Sequence, residues 1–114
     1  MTMANRHRGD VAVRLAGRDW TLRLTLGALA EMEAGLDATS LVDLGARFAQ
    51  GLRARDLIVI FAAAARGGGA EVDDREVAGM VTAGDLPVLA EAIARLLVEG
   101  FGEGPPPDPR GRLR

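Results

Sequence analysis

A chain of 114 residues, 48% of them hydrophobic and 4% aromatic, has aliphatic surface enough for one core and too little length for a second. Its 14 cationic residues are all arginine and are set against 16 acidic ones, a formal net charge of −2 that gives no electrostatic pull toward nucleic acid or a membrane surface. Cysteine is absent, which removes disulfides and thiolate metal sites and fits a reducing, cytoplasmic setting.

Residues 1–9 are polar, with Arg6, His7 and Arg8 together and no apolar segment of the secretory kind, and read as a mobile arm. From Val11 the pattern has period two. Val11, Val13 and Leu15 fall on one side of a strand, and Trp20, Leu22 and Leu24 repeat the alternation. Ala16, Gly17 and Arg18 between them supply a turn, so the two runs form an antiparallel hairpin that must rest on helices to be stable. Trp20 shares the inward register and is expected to be buried.

Helical spacing begins after Thr25, a cap residue, with Leu26, Leu29 and Met32 on one face and Gly35 as the stop. A second helix starts at Ser40, with Asp43 at the capping-box position and Leu41, Leu44 and Phe48 along one side. The third, Ala54 to Arg66, is apolar nearly all round and belongs at the centre. Gly67, Gly68 and Gly69 end it and read as a flexible link. Asp73 with Glu76 opens a fourth helix carrying Val77, Met80 and Val81, ended by Gly84. Asp85 caps the last helix, where Leu86, Leu89, Ile93, Leu96, Leu97 and Phe101 make an apolar stripe and Glu91, Arg95 and Glu99 make supporting charge pairs opposite. The predicted fold is α+β and mostly helical, a two-stranded hairpin and then about five short helices. Residues 10–102 form the single domain, and 103–114, rich in proline and arginine, a disordered tail.

The chemical inventory is poor. Lysine, tyrosine and cysteine are missing and the one histidine, His7, lies in the arm, so no catalytic, cofactor-binding or metal-binding residues are expected. Without lysine the glycines at 67–69 cannot complete a phosphate loop, and Asp73, Asp74 and Glu76 lack the ligand spacing of a calcium loop. Val88 and Val98 stand apart: both fall toward the charged face of the last helix, where the core does not reach, and are the candidate partner-binding residues.

The order of hairpin, Trp20 in the second strand, the segments TLRLTLGALAEMEAGL and RARDLIVIFAAAARGGG, and the later helix start DDREV resembles a family of gene-transfer-agent tail proteins. It is related to tailed-phage tail assembly chaperones, and its members are also labelled tail tube proteins. The resemblance spans about residues 8 to 101 and rests on order and spacing. It implies a non-enzymatic chaperone that covers apolar helical segments of the tape measure protein in the cytoplasm before the tube polymerises around it. The alternative is a structural tail subunit retained in the particle. The expected partner is the tape measure or another tail protein, with self-association left open and neither nucleic acid nor membrane involved. Where the family can place Ser or Thr before the third helix this chain has Arg53, which leaves that helix start without a conventional cap.

Overall fold

The computed structural model describes residues 9–102, with side chains through Gly100; residues 1–8 of the arm read at 1–9, the tail at 103–114 and the Phe101 side chain lie outside it. Two strands, β1 (Val11–Leu15) and β2 (Arg18–Leu22), precede α1 (Leu26–Gly35), α2 (Leu41–Gln50), α3 (Ala54–Gly67), α4 (Asp74–Met80) and α5 (Leu86–Leu97). A short 3-10 turn, Ala83–Asp85, leads into α5, and a π-helical turn, Val98–Gly102, follows it. This is the expected mostly helical α+β architecture.

The hairpin register pairs Val11 with Leu22, Val13 with Trp20 and Leu15 with Arg18, so the inward residues of both strands share one face. The turn is tighter than the sequence suggests. Ala16 and Gly17 alone make it, both at positive φ (55° and 76°), the geometry whose twist matches two paired strands. Trp20 is 3% exposed, meets the Phe61 ring edge-on at 5.2 Å between centroids and donates its indole N–H to Leu15 O at 3.0 Å. Its polar handle is thereby satisfied inside the core. At the open end of the hairpin, the Arg23 guanidinium donates two bonds of 2.9 Å to the buried Asp10 carboxylate, and this raises the Arg23 pKa above its ordinary value.

Helix α3 is the axis of the molecule, with Val59 through Ala65 all buried. Its run of alanines lets the neighbours approach, and α1, α4, α5 and β2 all pack on it. The start at Arg53 has no side-chain cap. Asp56, 5% exposed, substitutes by accepting the Arg53 backbone N–H at 3.0 Å. At its other end the glycine run is not a flexible link. A Cβ on Gly67 would stand 2.5 Å from Arg23 O and one on Gly68 2.0 Å from Thr21 O, so the absent side chains let the helix end abut β2 and the segment after it. Arg23 N–H donates to Ala64 O at 3.0 Å across this contact. Gly69, at φ 106°, takes the left-handed position that closes the helix: its N–H donates to Arg66 O and that of Ala70 to Ala65 O.

Helix α1 begins where expected, Thr25 Oγ1 accepting from Ala28 N–H at 2.9 Å. Its end differs. Asp37 at φ 61° provides the left-handed stop, with Ala38 N–H on Glu33 O, while Gly35 serves contact, since a Cβ there would lie 2.5 Å from Val59 Cγ1. Leu26 is 81% exposed rather than in the core. Steps of three residues fall about 60° short of a full turn each, so Leu26 has left the face that buries Ala28 and Met32. In α2, Ser40 Oγ accepts from Asp43 N–H at 3.1 Å, but the Asp43 carboxylate takes the N–H of Thr39. Only Leu44 of this peripheral helix is buried, and Leu41 is 50% exposed. The capping box at Asp73 and Glu76 is complete, with reciprocal bonds of 2.8 and 2.9 Å, though α4 stops at Met80, before Gly84. Asp85 does not cap α5; it accepts from Thr82 N–H at 2.8 Å and closes the 3-10 turn. Leu89, Ile93 and Leu96 are buried as expected, whereas Leu86 is 38% exposed. Glu91, Arg95 and Glu99 are exposed, with no ion pair joining them within 4 Å among the described residues.

Candidate interaction surface

Two apolar grooves flank α5 where it crosses the first turns of α3. One, about 220 Å³, lies between α3, α4 and α5, with Ala54 and Ile58 on one wall, Ala78 and Val81 on the second and Leu86 and Leu89 on the third. The other, about 300 Å³, has Phe48, Leu52 and Leu57 on one side and Ala90, Ala94 and Leu97 on the other, with Ile93 at its floor. They adjoin through consecutive residues of α3, since Leu57 faces one and Ile58 the other. The apolar arc of α5 is thus broader than its core contact needs. At about 100° per residue, Leu89, Ala92, Ile93 and Leu96 point into the core, while Leu86, Ala90, Ala94 and Leu97 form a second stripe beside them that solvent reaches.

The structure leaves both sequence candidates accessible, Val88 at 41% and Val98 at 60% exposure. It does not bring them together. They lie ten residues apart, Val88 in α5 and Val98 in the π-helical turn after it, and neither lines a groove. The groove residues were readable in the sequence only as an excess: Leu86 and Leu97 were assigned to the core stripe, and Ala90 and Ala94 extend it at helical spacing past what a core stripe requires.

Several polar side chains elsewhere are engaged within the fold. Arg66 donates to Glu31, Asp74 and the Val72 carbonyl, an arrangement that ties α1, α3 and the start of α4 together; burial works against its charge, yet the Glu31 and Asp74 carboxylates hold its pKa above the ordinary value. Asp73, Asp74, Arg75, Glu31 and Ala34 surround it in a shallow depression. Asp73 and Glu76 are engaged in the capping box, and among the described residues no group of three or more His, Cys, Asp or Glu side chains is placed to hold a metal ion. No single helix among them is long and apolar enough to cross a membrane.

What such a molecule offers is surface: a small hairpin-and-helices protein with adjoining apolar grooves beside α5. The chain belongs to the family described as phage tail tube protein, GTA-gp10, whose model matches residues 8–103. It is therefore a tail protein of the phage and gene-transfer-agent kind, and that family is one of tail components rather than of enzymes. No curated protein and no solved structure matches it.

Proposed function

We propose that this protein is a non-enzymatic tail assembly chaperone, which binds apolar helical segments of the tape measure protein in the cytoplasm and leaves before the particle is complete. The observation that carries the reading is the pair of apolar grooves along α5 in a protein whose sheet, among the described residues, has two strands. A tape measure helix is long and striped with apolar residues, and left uncovered it would aggregate. Grooves of this kind accept such a helix by its apolar face. Val88 and Val98 enter the reading as accessible apolar residues at its periphery.

A second reading, a structural subunit retained in the tail, is favoured by the printed description of the family as a tail tube protein. Against it, subunits that build a tube wall through continuous sheet need more strands than one hairpin supplies. Co-expression with the tape measure protein, followed by co-purification and quantitative mass spectrometry of mature particles, tests both. The chaperone reading expects a soluble complex and no copies in the particle. A tape measure equally soluble alone, with no complex, refutes it, and stoichiometric copies in the particle establish the subunit instead.

A further inference from the structure

We propose that the outer edge of β1 is a self-association surface, where β1 of a second copy pairs antiparallel across a two-fold axis at Val13 and extends the two-stranded sheet to four strands. The backbone assigns the edges. With a two-residue turn and Leu15 opposite Arg18, the pairs that exchange hydrogen bonds between β1 and β2 are Leu15 with Arg18, Val13 with Trp20 and Val11 with Leu22. The residues between them point their N–H and C=O groups outward. On β2 that outer edge is used: Arg23 N–H donates to Ala64 O, and the backbone at Gly68 is pressed against Thr21 O. On β1 it is open, since among the described residues the backbone N–H and C=O groups of Ala12 and Arg14 have no partner. Both residues are exposed, and an open depression of about 210 Å³ runs along Ala12, Val13 and Arg14.

Sheets guard such an edge with proline, a bulge or an inward charge, and β1, VAVRL, carries none of these. Its one charged residue, Arg14, is on the solvent face, and the guanidinium is drawn across the hairpin to Asp19 and Gly17 O, away from the edge. A second copy fits in one register. With Val13 at the axis, Ala12 of each copy exchanges backbone bonds with Arg14 of the other, and the small side chain lies opposite the long one. Sliding by two residues one way opposes Arg14 to Arg14, like charges; the other way opposes it to Asp10, whose buried carboxylate is already held by Arg23. Val13, the inward residue of β1 that its own helices leave half-buried, meets Val13 of the copy as a close pair and is covered. Because β2 has no open edge, the pairing closes on itself and stops at two chains. One short strand is a small interface, so the association is weak. It is independent of whether the chaperone or the tail-subunit reading holds.

The chain has no cysteine, so one introduced thiol reads the register. Across the axis the two Val13 Cα atoms stand about 4.5 Å apart, within reach of a disulfide, whereas Ala12 or Arg14 stands about 7–8 Å from its own copy, beyond it. Under mild oxidation of the full chain, Val13→Cys should cross-link about tenfold faster than Ala12→Cys or Arg14→Cys. In sedimentation equilibrium the wild type should show a concentration-dependent dimer, and hydrogen exchange at the Ala12 and Arg14 amides should slow as it forms. Ala12→Pro deletes an outward N–H and no bond to β2, so it should weaken association about tenfold at an unchanged melting temperature. Val13→Lys, which sets like charges together at the axis, replaces it if the proline variant melts early. The proposal is overturned by a wild type that stays monomeric, by equal cross-linking at the three positions, or by a dimer that Ala12→Pro or its replacement leaves intact. It is overturned equally if the two amides are protected at every concentration until residues 1–8 are removed, which would assign the edge to the start of the same chain, or if they are protected only in complex with a different protein.

Discussion

Replacing Gly68 by alanine reports whether the end of α3 is truly pressed against the hairpin. Its backbone, φ −86° and ψ 2°, is one that alanine adopts freely, so the substitution considered alone should stabilise by about 0.4–1 kcal/mol through the unfolded chain. The structure reverses the sign. The new methyl would lie 2.0 Å from Thr21 O and 2.8 Å from Thr21 C, where ordinary contact begins at 3.4 Å, and the obstacle is strand backbone rather than the tip of a side chain. Overpacking of this kind costs about 1–3 kcal/mol, and a main-chain obstacle belongs at the upper end, leaving a net loss of about 2 kcal/mol. For a domain of this size that is a fall in melting temperature on the order of 10 °C. Circular dichroism melts of Gly68→Ala and of Gly45→Ala, an α2 position with nothing within 4 Å, give the comparison. Gly45→Ala should gain about 0.5–1 kcal/mol. A Gly68→Ala protein as stable as the wild type would mean that the glycine run is the loose joint its sequence suggests, and that the contact with β2 is wrong.

Trp20→Ala should cost about 3–5 kcal/mol in urea unfolding, since it removes a buried indole, its edge contact with Phe61 and its bond to Leu15 O; a loss of a few tenths would refute the register. Ala16→Asn should raise stability by about 0.5–1 kcal/mol, because Ala16 holds a positive φ that asparagine tolerates better, and a decrease would argue against the two-residue turn. Asp73→Ala removes the acceptor for Glu76 N–H and should cost about 1 kcal/mol in the same unfolding assay, with hydrogen exchange in α4 quickened. No change at either level would remove the capping box from the account of where α4 starts.

Elements were legible where one local signal decided them. The alternation from Val11 to Leu24 gave the two strands, although the second ends at Leu22 and the two-residue turn that sets the register reads as three residues in the sequence, and the caps at Thr25, Ser40 and Asp73 marked helix starts within the chain. Faces were harder to read, because apolar residues at helical spacing do not say which of them meet a neighbour. Leu26 and Leu41 carry the right residue type at helix ends that nothing covers, so each is exposed. The glycines at 35, 67 and 68 looked like punctuation, and only the tertiary arrangement shows that Val59, Arg23 and Thr21 occupy the space their side chains would need. The grooves were missed for a related reason: Leu86 and Leu97 were indistinguishable from core residues, and alanines such as Ala90 and Ala94 carry too weak a hydropathic signal to widen a stripe by eye. Exposed valines drew attention instead, because they broke the pattern.

The lone tryptophan has a spectroscopic consequence. Trp20 is the single indole in the chain, and it sits in the hairpin, with the Arg18 guanidinium 4.0 Å above its ring and Phe61 at its edge, outside the residues that line either α5 groove. Its emission therefore reports whether β2 is seated on α3 and is blind to what occupies the groove. A ligand titration that leaves the emission constant while a label on the ligand responds is binding to an intact fold, whereas a red shift during the same titration means that the hairpin has come away. One intrinsic fluorophore thus separates capture of a client from unfolding of the protein that captures it.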